Sequence, residues 1–187
     1  MSVYDTVAAD QAVAGDIPQQ LLELSYQNRL RVLGRFIDER ALHSLTIIEV
    51  TGGFVVRATS DGNPWPQLLE FGDRQLAGML RQAVRARREG ETPRQSRELI
   101  PTGYEDLLRA LGYELDERVA ENVVVAELPS MLAVSGFEPV IGFGEASFRP
   151  FSEPLGPEDV GQMLGRALAR RGTFQAIQTY IPPNFRG

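Results

Sequence analysis

The chain has 187 residues, 43% of them apolar and 24% charged, with 25 acids, 19 basic residues, one histidine and no cysteine. That is enough to bury one or two small cores, but its longest apolar runs fall far short of the roughly 18 residues of a membrane span, and no disulfide or cysteine-based zinc site can be built from it. Every basic residue is an arginine, which excludes a Schiff-base lysine and the lysine of a phosphate-binding P-loop.

The first 17 residues read as a tail with neither signal-peptide nor transit-peptide character. A helix is predicted from Pro18, after Asp16 as its cap, because Tyr26, Leu30, Leu33, Ile37 and Ala41 recur at spacings of four and three. Next come two β-rich runs, Leu45–Val50 and Val55–Thr59, around a Gly52-Gly53 turn. A third strand is expected near Gln67–Phe71 and a closing helix over Asp73–Arg88. After a loop at 89–101 the same order returns. Thr102 and Glu105 form a capping box for a helix carrying Tyr104, Leu108, Leu111, Leu115 and Val119. Strands follow at Val123–Leu128 and from Met131, around Pro129-Ser130, then a strand near Ala146–Phe151 and a helix over Glu158–Arg171.

The return is literal. Residues 26–58 align with 104–136 without a gap, and ten pairs are identical: Tyr26/Tyr104, Leu30/Leu108, Arg31/Arg109, Leu33/Leu111, Gly34/Gly112, Asp38/Asp116, Glu39/Glu117, Arg40/Arg118, Glu49/Glu127 and Val56/Val134. Such self-similarity indicates an internal duplication. The expected fold is α+β, an αβββα unit present twice with pseudo-twofold symmetry, its antiparallel sheet covered by helices. The first unit spans 18–95, the second 96–172, and 173–187 is a C-terminal extension. Ile48, Val50 and Val55 make the second sheet face apolar too, so that face is expected to be covered by the other unit or by another subunit.

Glu49 and Glu127 stand out, because a two-residue Gly52-Gly53 loop puts Glu49 opposite Val56 on the apolar face of Ile47, Phe54 and Ala58. A carboxylate there needs a partner or a raised pKa. The sharper reading is a symmetric acid–base or ligand pair. The plainer one is an ion pair to a repeated arginine, Arg31 and Arg109 or Arg40 and Arg118. Mid-helix Gly34 and Gly112 imply close packing at those points, since glycine costs a helix about 1 kcal/mol relative to alanine. Asp38-Glu39-Arg40 and Asp116-Glu117-Arg118 read as solvated charge or as an epitope presented twice. Trp65 and Phe143 lie in corresponding loops after each hairpin, which could flank one groove. His43 aligns with Glu121 and takes no symmetric role, so no catalytic residue, metal ligand or cofactor is assigned.

Residues 1–97 hold 12 acids and 12 arginines, whereas 98–187 hold 13 acids and 7 arginines. The charge of −6 therefore sits in the second half, which argues against nucleic-acid binding. The helix–strand order is also that of double-stranded RNA-binding domains, but Asp73 and Glu158 open the helices where a basic cluster would be needed. The expectation is a cytoplasmic, non-enzymatic adaptor or chaperone-like protein that binds a protein partner, with a homodimer as one arrangement. Small acidic secretion chaperones resemble it in class alone. The alternative is an enzyme or small-ligand or metal binder built on Glu49 and Glu127. The C-terminal extension, apolar on alternate positions up to Pro182-Pro183, is expected to dock on the sheet or on a second subunit.

Overall fold

The computed structural model describes residues 24–88, 103–142 and 147–170. Pro18, Thr102, Phe143 and the C-terminal extension lie outside the described residues. The elements are α1 (Tyr26–Glu39), β1 (Leu42–Val50), β2 (Gly53–Ser60), β3 (Asn63–Gly72), α2 (Asp73–Arg88), α3 (Tyr104–Glu117), β4 (Glu121–Leu128), β5 (Met131–Val140), β6 (Ser147–Leu155) and α4 (Pro157–Arg170). The fold is α+β, and the helix–three-strand–helix order occurs twice. All six strands form one antiparallel sheet in the order β3-β2-β1-β4-β5-β6, so β1 and β4, the first strand of each unit, meet at its centre.

α1 starts at Tyr26, the first member of its apolar stripe, and not at the Pro18 start expected from sequence. Ser25 is its cap, in extended backbone, and its hydroxyl accepts the Asn28 N–H at 3.2 Å. Tyr26, Leu30, Leu33 and Ile37 are buried as the 3.6-residue period requires, and Leu108, Leu111 and Leu115 repeat them in α3. The last member of each stripe falls outside its helix. Ala41 and Val119 take left-handed backbone, φ 50° and 53°, which terminates the helices and leaves Val119 exposed.

The first hairpin turns one residue earlier than its glycine pair suggests. Val50 pairs with Gly53, so Thr51-Gly52 is the turn, with Gly52 at φ 78°. Glu49 therefore faces Phe54, and Glu127 faces Leu132. The register moves by two residues, which keeps both carboxylates on the expected face. Strands β3, β5 and β6 run longer than predicted because prolines do not stop them. Pro64, Pro66, Pro150 and Pro154 lie on β3 and β6, the two edges of the sheet, where a missing N–H need not break the ladder.

The four described helices share one side of the sheet. Leu76, Leu80 and Ala83 of α2 and Met163 and Ala167 of α4 join α1, α3 and the inward strand residues Ile47, Phe54, Val56, Val123, Val125 and Val134 in one continuous core. α1 and α3 make the closest helix pair. A Cβ at Gly34 would lie 2.3 Å from the Tyr104 carbonyl oxygen and 2.7 Å from Glu105 Cα, and one at Gly112 would lie 2.5 Å from the Tyr26 oxygen and 2.6 Å from Gln27 Cα. Each glycine thus receives the first turn of the opposite helix. The second unit extends the sheet sideways and does not cover the outer face; among the described residues nothing does.

Helix propensity alone says that Gly34→Ala should stabilise by about 1 kcal/mol. The contact distances reverse that sign, because backbone has to move. We expect Gly34→Ala and Gly112→Ala each to lose about 1–3 kcal/mol, the usual cost of overpacking, in urea denaturation; a gain in either would refute the close approach.

Candidate functional site

The two repeated glutamates sit on the seam between the units. β1 and β4 pair through Thr46–Ala126, Ile47–Val125 and Ile48–Val124. Beyond those three pairs the ladder is interrupted, because Ser44 and Asn122 are left-handed, φ 56° and 54°, and both hairpins carry register shifts there. The next opposed residues are Leu45 with Glu127 and Glu49 with Val123. At both places a side chain replaces the backbone acceptor. Glu49 Oε2 accepts the Val123 N–H at 2.9 Å, and Glu127 Oε2 accepts the Leu45 N–H at 3.0 Å.

A tyrosine from the same unit orients each carboxylate. The Tyr26 hydroxyl donates to Glu49 at 2.5 Å, and the Tyr104 hydroxyl donates to both oxygens of Glu127 at 2.8 Å. Burial first, and then the hydrogen bond to an adjacent carboxylate, hold both phenols well above their ordinary pKa. The ion pairs differ from the expected ones. Arg29, not Arg31 or Arg40, pairs with Glu49 at 3.1 Å; it also reaches Asp73 at 3.5 Å and lies 4.8 Å from the ring centroids of Tyr26 and Phe54. Position 107, the counterpart of 29, is a leucine, and among the described residues no arginine pairs with Glu127. Arg31 is buried and bonds Glu105 across the seam at 3.1 Å. Arg109 is half-buried at the equivalent place.

The Asp-Glu-Arg triplets divide their work by residue. Asp38 accepts the N–H groups of Tyr104 and Glu105 at 2.8 and 3.0 Å, and Asp116 accepts those of Tyr26 and Gln27 at 2.8 and 2.9 Å. Each aspartate closes one helix and caps the other. An acid in a last turn opposes its own helix dipole, and the opposite N-terminus offsets this. Burial raises the Asp116 pKa, against the lowering effect of those two N–H groups. Glu39 bonds Arg35 at 3.0 Å on the surface, and Arg40 lies over Phe36. Arg118 makes two bonds to Glu153, at 2.7 and 2.9 Å, and lies near Phe151. Glu117 is exposed. Asp38 and Asp116 are thereby engaged inside the fold, so the triplets do not form a matched pair of free epitopes.

β1 and β4 are antiparallel, so β2 and β5 also run in opposite directions and finish at opposite ends of the sheet; the turn after β2 is described, and most of the loop after β5 lies outside the described residues. Trp65, 76% exposed, stands on one edge strand beyond the turn after β2. His43 bonds Ser44, Thr59 and Asp61 at the surface. Among the described residues no cluster of metal-ligating side chains occurs.

Pairing and alternation place Thr46, Ile48, Val50, Val55, Arg57, Leu68 and Glu70 on the outer face of the first unit. Glu121, Val124, Ala126, Leu128, Met131, Ala133, Ser135, Phe137, Phe148, Pro150, Ser152 and Pro154 share that face in the second. Arg57, Glu70 and Glu121 are the only charged residues among these. Exposure reaches 68% at Leu68, 43% at Phe137 and 40% at Ile48. The alternation was legible from sequence; its lack of cover was not. Sequence reasoning missed Arg29 and the two tyrosine hydroxyls, although Tyr26/Tyr104 is the first identical pair and a shielded phenol needs a partner. No protein family, characterised protein or solved structure matches the chain.

Glu49→Gln leaves Arg29 without its nearest counter-charge, whereas Glu127→Gln removes charge from a site without arginine. The first should therefore cost about 1–3 kcal/mol and the second about 1 kcal/mol in denaturant titration; equal losses would show that Arg29 contributes nothing. The tyrosines predict a pH effect of fixed sign. Their folded pKa lies above the unfolded value of 10.0, so their contribution is complete below that value and is lost as pH rises past it. The denaturation midpoint should fall as pH rises above about 10, and a Tyr26→Phe, Tyr104→Phe variant should show a flatter profile there.

Proposed function

We propose that the chain is a non-enzymatic adaptor or chaperone-like protein that binds a protein partner on the open face of its sheet, and that it arose by duplication of one αβββα unit. The observation that carries this is the face itself: six strands wide, continuous across both units, and charged among the described residues only at Arg57, Glu70 and Glu121. Exposed apolar patches of that extent mark interaction surfaces. The edges support approach from the face, because prolines on β3 and β6 remove donors that an added strand would need.

The competing reading is an enzyme or ligand site at Glu49 and Glu127. It is disfavoured because both carboxylates already accept a tyrosine hydroxyl and a backbone N–H from the opposite unit. No described helix is long and apolar enough to cross a membrane, and a cytoplasmic location belongs to the proposal.

Suppression of aggregation tests the proposal. The purified chain should keep an unrelated, chemically unfolded test protein in solution, read by light scattering. Leu68→Asp with Phe137→Asp should abolish that effect while circular dichroism stays unchanged. Suppression that survives the double substitution would move the partner site elsewhere.

A further inference from the structure

We infer that in the absence of a partner the open sheet face is covered by a second copy of this chain, packed face to face. The inference rests on the proposed partner face and adds what occupies it at rest. Its starting point is extent. Six strands about 4.8 Å apart, each with three outward residues about 6.8 Å apart, make a face of roughly 600 Å2 per copy. Two copies would bury about 1,200 Å2, at the lower end of stable specific interfaces. Among the described residues of one copy, nothing covers Ile48, Val50, Leu128, Met131, Phe137 and Phe148, all of them exposed.

The edges exclude the other common route to self-association. Growth of the sheet across β3 or β6 meets Pro64 and Pro66 on one side and Pro150 and Pro154 on the other. Each proline lacks the N–H that strand addition requires.

Charge decides between a second copy and a basic or acidic partner segment. The molecule carries −6, yet among the described residues its outer face carries one arginine, Arg57, and two glutamates, Glu70 and Glu121. Arg57 pairs with Leu68 and Glu70 lies two residues along the same strand, so these two charges are diagonal neighbours. With one arginine against two glutamates the face is nearly neutral, so it offers no strong complementary site to a highly charged segment and repels itself only weakly. A twofold contact also requires one patch to serve both sides. This patch qualifies, since β1–β2–β3 and β4–β5–β6 lie on it in antiparallel relation.

Sedimentation of the full-length chain at micromolar concentration tests the inference, with no test protein present. The expected mass is twice 20.7 kDa, and Ile48→Glu with Phe137→Glu, both at exposed positions, should halve it. A second arm does not depend on tolerance of those charges. The chain has no cysteine, so Ala126→Cys, at the centre of the face, should form a covalent dimer on mild oxidation, and Glu39→Cys, in exposed α1, should not.

A monomeric wild type overturns the inference, and so does a dimer cross-linked through Glu39→Cys but not Ala126→Cys. If residues 173–187 cover the face in cis, the intact chain sediments as a monomer and its truncation associates, which also overturns it. A monomer that still suppresses aggregation sinks the inference and leaves the proposed function standing. A dimer that never suppresses aggregation does the reverse.

Discussion

Everything else in this fold depends on a carboxylate from one unit accepting a backbone N–H from the other. Six such bonds cross the seam: four onto Asp38 and Asp116, and one each onto Glu49 and Glu127. They work because the backbone donors involved have no internal acceptor. First-turn N–H groups of a helix have no carbonyl behind them, and the N–H groups of Leu45 and Val123 follow left-handed residues that break the ladder. Hydrogen bonds to charged acceptors are worth about 1.5–3 kcal/mol when shielded, so the set is large beside the marginal stability of a domain, about 5–15 kcal/mol. The glycines permit it. Any side chain at position 34 or 112 would push the opposite helix start away from the aspartate that caps it.

That constraint explains why polar residues recur where apolar packing alone would not need them. Tyr26 and Tyr104 present rings to the core and hydroxyls to Glu49 and Glu127. The equivalence is not complete. Arg29 adds an ion pair and two ring contacts on one side, while Leu107 fills the matching place on the other. One end of the seam is therefore charge-balanced and the other is held by neutral donors. The second unit compensates farther out, where Arg118 grips Glu153 and Arg166 and Arg170 reach Glu114.

With both α1 and α3 consumed by the seam, all four described helices lie on one side, and among the described residues nothing covers the other. The same arrangement that gives the chain a continuous core leaves the apolar residues of the other face without cover from any described residue. A single unit would have had the choice of folding its partner over the sheet face. Here the aspartate caps and the β1–β4 pairing hold the units side by side, so that choice is removed.

The element order, the inward face of each strand, the buried positions of α1 and α3 and the need for close approach at Gly34 and Gly112 were all legible in sequence, because periodicity and residue size are local properties. The repeat at a spacing of 78 residues also singled out Asp38, Asp116, Glu49 and Glu127 as a set. Their partners were not legible. Asp38 and Asp116 looked like solvated charge because their acceptor role involves N–H groups 66 to 90 residues away. The Thr51-Gly52 turn, the left-handed Ser44 and Asn122, and the choice of Arg29 over Arg31 follow from how two sheets' worth of strands meet, which no window of sequence contains. Sequence determined that the outer face is apolar, since alternation of side chains fixes it. Only the tertiary structure decided that the second unit lies beside that face and not on it, because the helix caps work in one relative placement of the two units.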